Sequence, residues 1–248
     1  MNLSYPDPAN RRRIVANQYA IQNRLLAGLP TDEYARFFPH LEEIELTYDS
    51  TICHFGDAIR YVYFPSSGII SLLGTIEDGS TLISCVIGNE GMVGLPLFLG
   101  AKTAPVHAIV QGSGKAMRMA AADFENECRE SSALPGLLLH FTYSLMVQIL
   151  QSTVCYRFCP VEKRLARWLL MTHDRMGTDG FQMTQNFLTS MVGVRRETIA
   201  HAAISLRKKS LVRYSRGNMM ITDRPGLEAA TCKCYSVTRT IEKSQELH

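Results

Sequence analysis

The sequence predicts an α+β chain: a small antiparallel β unit first, one long helix next, then a compact helical unit closed by a β-hairpin. Three observations carry this. Between Leu46 and Met119 short β-type runs alternate with turn clusters, at roughly the ten-residue spacing of small barrels and sandwiches. From Leu134 to Phe158 the texture is helical, with Leu138, Phe141 and Leu145 at four- and three-residue steps. Beyond Pro160 helical patterns return and end in two β-type runs around Ser215-Arg216-Gly217-Asn218.

Taken in order, residues 14–28 form a short amphipathic helix stopped by Gly28, and Pro30–Phe38 a second one. The β region follows, with runs at Tyr61–Phe64, Ile69–Thr75 and Thr81–Ile87 separated by Pro65-Ser66-Ser67-Gly68 and Glu77-Asp78-Gly79-Ser80. Ala120–Glu130 is helical. In the long helix the Leu138/Phe141/Leu145 register continues into Gln148, Ser152 and Cys155. An apolar seam giving way to small and polar residues fits a two-helix dimer contact, with a helix packed on its own barrel as the plainer alternative. Val161–Arg175 is the next helix, with Leu165, Trp168, Leu169 and Thr172 on one face. A boundary is expected at Cys159-Pro160, dividing the chain into residues 1–133, the helix 134–159, and residues 160–248.

The 248 residues leave room for two modest cores, and a composition of 46% hydrophobic and 20% charged residues is that of a globular protein. No apolar run reaches the ~20 residues that span a bilayer. The polar start, with Arg11, Arg12 and Arg13, lacks the apolar segment of a secretory leader. A cytoplasmic protein with no membrane partner is expected. The seven cysteines, Cys53, Cys85, Cys128, Cys155, Cys159, Cys232 and Cys234, contain no C-x-x-C knuckle. They are taken as free thiols, and neither a metal nor a cofactor is assigned. From Pro160 onward 15 Lys and Arg face 8 Asp and Glu, a balance of +7; before it 11 face 15, a balance of −4. A polyanion would dock on the C-terminal part.

Thr184–Leu206 carries the chemistry. Two helices crossing over a very short turn need a residue tolerant of positive φ, a small side chain at the contact and apolar residues at fixed inward positions. Gly193 supplies the turn; Leu188, Val192, Val194, Ile199 and Ala202 supply the inward positions, with the small Thr189 between the first two. The second helix then opens with Arg195, Arg196, Glu197 and Thr198, with His201 one turn on from Glu197. Arginine bonds guanine O6 and N7, and glutamate accepts from cytosine N4. Leu211–Tyr214 and Met219–Thr222 form a wing whose tip is Arg216. With Arg207, Lys208 and Lys209, Arg216 is placed to meet phosphates, which position a protein without reading sequence. The reading is a winged helix-turn-helix.

The order of these parts resembles the Crp/Fnr family of bacterial transcription regulators. Val192-Gly193-Val194-Arg195-Arg196-Glu197-Thr198-Ile199 looks like that family's V-G-x-x-R-E-T-V recognition segment, and Val161–Leu170 is similar to the helix before it. The resemblance implies a cyclic-nucleotide-binding-like β-roll (a jelly-roll barrel), a long dimerisation helix with Leu138, Phe141 and Leu145 at the interface, and a winged helix-turn-helix. It further implies a homodimer on near-palindromic, double-stranded promoter DNA, with RNA polymerase as a partner. In the family, residues at the positions of Arg196 and Glu197 read bases; a second arginine often stands where this chain has His201.

Nucleotide-binding members carry a G-E-L segment whose glutamate meets the ribose, followed by an Arg-Ser or Arg-Thr whose arginine meets the cyclic phosphate. Gly94-Leu95-Pro96 and Ala104-Pro105 stand at these places, with Lys102 able to restore a cation only by a register shift. Losing a charge-assisted bond costs roughly 1.5–3 kcal/mol, so cyclic AMP is not the expected effector, which stays unidentified. Other sensing chemistries are weaker. An iron–sulfur cluster of the Fnr kind needs cysteines near the N-terminus, and none precedes Cys53. Haem would draw on His54, His107, His140 or Cys85 by residue type alone. Thiol control would use Cys155, Cys159 or the Cys232-x-Cys234 pair, with an inter-subunit disulfide conceivable at the first two. An enzyme is disfavoured, as no G-x-S-x-G, H-E-x-x-H or Walker pattern occurs. A ligand- or redox-sensing module with secondary DNA binding is the alternative.

Overall fold

The computed structural model describes residues 22–75, 80–215 and 217–244. Most of the expected 14–28 helix, and the wing tip Arg216, lie outside them. Two short helices, α1 (Arg24–Ala27) and α2 (Thr31–Phe37), lead into strands β1 (Glu42–Leu46), β2 (Thr51–Cys53), β3 (Tyr61–Pro65), β4 (Ile69–Thr75), β5 (Thr81–Ile87), β6 (His107–Gly112) and β7 (Gly114–Ala120). These form two antiparallel sheets, in the orders β1-β7-β3 and β2-β6-β4-β5. Alternation does the sorting: residues of one parity, such as Val62 and Phe64, enter the core, and those of the other turn outward. Phe37 meets Phe64 edge to face at 5.8 Å, and Ile70, Ile87, Met117 and Phe124 complete this first core.

Helix α3 (Ala121–Glu130) closes the roll, and α4 (Leu134–Phe158) follows. The start of α4 is held by a side chain from far upstream. The buried Glu33 carboxylate accepts from the Ser132 amide at 3.0 Å, the Ser132 hydroxyl at 2.6 Å and the Ser131 hydroxyl. These donors, and above all the Ser131 hydroxyl, draw its pKa from 4.5 down to about 2.

The predicted seam on α4 has the right register and a different neighbour. Leu138 is 0% and Phe141 4% exposed, both inside the roll's core, with Leu145 packed against it. Phe141 packs against Gly91, where a Cβ would fall 2.0 Å from its ring. Further along, Gln148 accepts from the Val86 amide at 2.7 Å and donates to its carbonyl at 3.2 Å, pairing with edge strand β5 as another strand would. The three seam residues are therefore barrel contacts, not a free dimer face. The opposite face carries Leu139, Tyr143, Met146, Leu150 and Val154, all exposed. By length and composition α4 is also long and apolar enough to cross a membrane, and its inward face packs on the roll.

Helix α5 (Val161–Met176), strand β8 (Gly180–Gln182), helices α6 (Gln185–Val192) and α7 (Arg196–Lys208), and strands β9 (Val212–Ser215) and β10 (Asn218–Ile221) build the C-terminal part. Leu165, Trp168, Leu169 and Thr172 of α5 are all buried, as their spacing predicts. Strand β8 joins the hairpin in the order β8-β10-β9, which the sequence did not reveal. Two more unexpected helices end the fold, α8 (Arg224–Ala230) and α9 (Lys233–Ser244). The second core is shared: Ile69, Leu73, Ile83 and Val86 of the roll pack with Trp168, Leu188 and Leu206.

Candidate nucleic-acid interface, effector cavity and cysteine cluster

The turn between α6 and α7 forms as its chemistry requires. Thr184 caps α6 by accepting from the Phe187 amide at 3.3 Å. Gly193 ends it with φ 64° and ψ 41°, a conformation that suits glycine. Leu188, Val192, Ile199 and Ala202 are buried between the helices and α5. That burial fixes the outward face of α7, on which Arg195, Arg196, Glu197, Thr198 and His201 are all exposed at its N-terminal end. The wing pairs in register, Val212 with Ile221 and Ser215 with Asn218. Lys208 is exposed at the far end of α7. Lys209 is engaged within the chain: its ammonium pairs with Glu162 at 2.5 Å, fastening α7 to the start of α5. The surface thus offers two arginines, an acid, a hydroxyl and an imidazole on one helix end, with basic groups at the periphery.

Within the roll lies a cavity of about 620 Å³. Gly94, Leu95, Ala104 and Pro105 line it, as their sequence positions imply, among Ile52, Leu72, Met92, Val106 and other apolar residues. Lys102 does not line it; its ammonium pairs with Glu125 on α3. The register-shifted rescue of a phosphate contact is therefore not made. Gly94 is required at its position: its φ is 103°, and a Cβ there would meet Val62 at 2.7 Å. Arg60 and Asp57 are the charged lining residues among those described, and sequence reasoning missed both, since nothing in their local pattern marks them. Of the haem candidates, Cys85 alone lines the cavity, and burial pushes its thiol up to about 12. His54 and His107 stack edge to face at 5.5 Å and are absent from its lining.

Away from both sites, the fold gathers Cys155 and Cys159, at the end of α4, with Cys232 and Cys234, at the start of α9. Their four sulfurs lie within 4.8 Å of one another. The lack of a knuckle argues against a metal only on linear spacing, which misses two pairs that tertiary folding alone brings together. The signal available was the pairs themselves, C-x-x-x-C and C-x-C.

Comparison with known proteins fits this geometry. Residues 43–131 match the model of the cyclic nucleotide-binding domain, and residues 163–230 that of the Crp-like helix-turn-helix domain. No curated protein matches the sequence. Among solved structures, FixK2 from Bradyrhizobium japonicum superposes with a TM-score of 0.67 at 15% identity, over 77% of this chain and 98% of its own. A transcriptional regulator of the CRP family from Thermus thermophilus gives 0.64 at 14% identity, over 75% and 95%. The c-di-GMP-responsive global regulator CLP of Xanthomonas campestris gives 0.62 at 16%, over 77% and 99%. At such identities the superpositions speak for the fold, and the two domain models for the lineage: the chain belongs to the Crp/Fnr family of DNA-binding transcriptional regulators.

Proposed function

We propose that the protein is a cytoplasmic, non-enzymatic regulator that binds near-palindromic promoter DNA as a homodimer and contacts RNA polymerase there. In this reading residues 1–133 sense, 134–159 pair the subunits and 160–248 read DNA. The observation that carries it is the exposed N-terminal end of α7, where Arg195, Arg196, Glu197, Thr198 and His201 stand on a buried, Gly193-pivoted scaffold. Recognition helices enter the major groove by this end. Pairing is assigned to the outward face of α4. Leu139, Tyr143, Met146, Leu150 and Val154 recur at four- and three-residue steps and are exposed, a pattern that a second copy of the same helix covers self-complementarily.

The effector is assigned as a small, largely apolar molecule. The cavity's lining offers hydrophobic walls, with Arg60 and Asp57 as its charged groups. Leu95 and Ala104 stand where ribose and phosphate would need partners. Cyclic AMP is expected to bind no tighter than about 1 mM, about −4 kcal/mol, which calorimetry checks. The DNA-reading role is tested by selecting bound duplexes from a random pool with the purified full chain. The expected product is a near-palindrome with half-sites about 10–10.5 base pairs apart, or a multiple of this. Recovery of no sequence above background would overturn the reading.

A further inference from the structure

The cysteine cluster lies at the hinge where the long helix gives way to the DNA-reading part. Cys155 sits in the last turn of α4. Cys159 follows it at the C-cap and donates its amide to the Cys155 carbonyl at 3.0 Å. The same spacing of four brings their side chains to one face. From the other end of the domain, Cys232 and Cys234 bracket the first residue of α9, and the Cys155 and Cys232 sulfurs stand 3.6 Å apart across 77 residues of chain. All four sulfurs fall within 4.8 Å of each other. Cys155 and Cys234 are buried, and Cys159 and Cys232 half-buried.

A tetrahedral ion that binds thiolates at about 2.3 Å separates its sulfurs by about 3.8 Å. The chain holds one pair at 3.6 Å and no pair beyond 4.8 Å, close to that spacing. A polynuclear iron–sulfur cluster puts its cysteines on different irons and holds their sulfurs farther apart. A disulfide would join two of the sulfurs and leave the convergence of the other pair unexplained. A second feature points the same way. Arg167 is fully buried one helix away; its Nη2 donates to Ser152 at 3.2 Å, while Nε and Nη1 have no hydrogen-bond partner. A buried guanidinium left so poorly paired needs negative charge nearby. Its partner Ser152 stands three residues before Cys155 on α4, so the guanidinium is held on the same stretch of helix as the cluster. Four thiolates on a divalent ion carry a net charge of −2, half of which Arg167 offsets.

We propose that Cys155, Cys159, Cys232 and Cys234 form a closed tetrathiolate site for a single thiophilic divalent ion of the zinc class, which clamps helix α9 to the hinge between α4 and α5. Each thiol gives up its proton as it binds, so four protons leave for one ion taken up. The ion supplies no chemistry, because no coordination position stays open.

The test uses the full chain, purified without affinity metals and then exposed to zinc or cobalt(II). Elemental analysis and native mass spectrometry are expected to find one ion per chain. Cobalt(II) should give the intense sulfur-to-metal charge-transfer bands and visible ligand-field bands of tetrahedral thiolate coordination. Cys232→Ser should lose the ion or its tetrathiolate spectrum, whereas Cys53→Ser, altering a cysteine outside the cluster, should keep both. Should Cys232→Ser fail to fold, alkylation of the wild type decides: bound zinc should protect these four cysteines, and a chelator should expose them. Wild-type protein that takes up neither ion would overturn the proposal. So would iron with acid-labile sulfide, a Cys155–Cys232 disulfide in freshly reduced protein, or alkylation that zinc does not change.

Discussion

Gly193 is required by its backbone, as the turn demands, and again by a distant neighbour: a Cβ there would stand 2.7 Å from Leu82 of β5. The first reason is visible in the sequence; the second exists only once the roll lies against α6. Glu33 gives a similar case with a measurable consequence. Its carboxylate, hydrogen-bonded by Ser131 and Ser132, titrates lower in the folded chain than its ordinary 4.5, at about 2. A group depressed in this way adds stability above its unfolded pKa and loses it as pH falls through the folded value. Glu33→Gln is therefore expected to lower stability at neutral pH and to remove part of the decline between about pH 4.5 and 2. Denaturant titrations of both proteins across that range check this, and parallel profiles would contradict it.

Periodicity yields the faces and lengths of helices and strands but not their neighbours. The runs Ile69–Thr75, Thr81–Ile87 and Leu134–Phe158 coincide with β4, β5 and α4. The same four- and three-residue steps that found the inward face of α4 could not say whether a roll or a second subunit covers it. Two mutants separate those neighbours. Phe141→Ala, which opens a void over Gly91, is expected to cost about 3–5 kcal/mol of folding stability while leaving the subunits paired. Charging the other face with Met146→Glu and Leu150→Glu should give folded monomers in analytical ultracentrifugation; a dimer that persists at micromolar concentration would contradict the assignment. Helix α8 was hidden because Asp223-Arg224-Pro225-Gly226 carries turn residues. In the fold Asp223 accepts from the Gly226 amide at 2.9 Å and the proline sits in the first turn, where its missing N–H is harmless. Of the site, the recognition helix was legible because its inward residues are fixed by spacing. Arg60, Asp57 and the cysteine cluster were not, since contacts between distant segments assemble them.

Across the whole molecule the roll and the DNA-reading part are joined by directional contacts as well as a shared core. The Tyr156 hydroxyl of α4 donates to the Ile83 carbonyl of β5 at 2.5 Å and lies 3.0 Å from the Met191 carbonyl of α6. Thr81 and Ser190 hydroxyls meet at 2.8 Å. Arg164 donates to the carbonyls of Cys159 and Val192, at 3.1 and 2.9 Å, tying the hinge to the end of α6. Buried Arg175 on α5 joins Glu90 of the roll at 2.7 Å and Glu242 of α9 at 2.6 Å. Arg175→Leu would strand two carboxylates and is expected to cost about 3–5 kcal/mol, read as a lowered midpoint in urea. A shift within experimental error would show that the pair carries no such load. These contacts fasten strand β5 of the roll to helices α4 and α6, and Glu90 to α5.

In the proposed mode of binding, α7 reads bases with its N-terminal end while the basic groups at its far end meet only phosphate. Affinities of Arg196→Ala and Lys208→Ala for an operator and its single-base variants, measured at several salt concentrations, separate the two roles. Arg196→Ala is expected to lose about 1–3 kcal/mol on the operator and to flatten preference at one base pair in each half-site. Lys208→Ala should weaken binding to every duplex alike and reduce the salt slope by about one per subunit, as fewer counterions are released. If Arg196→Ala lost affinity uniformly while Lys208→Ala changed the preferred base, the placement of α7 on DNA would be contradicted.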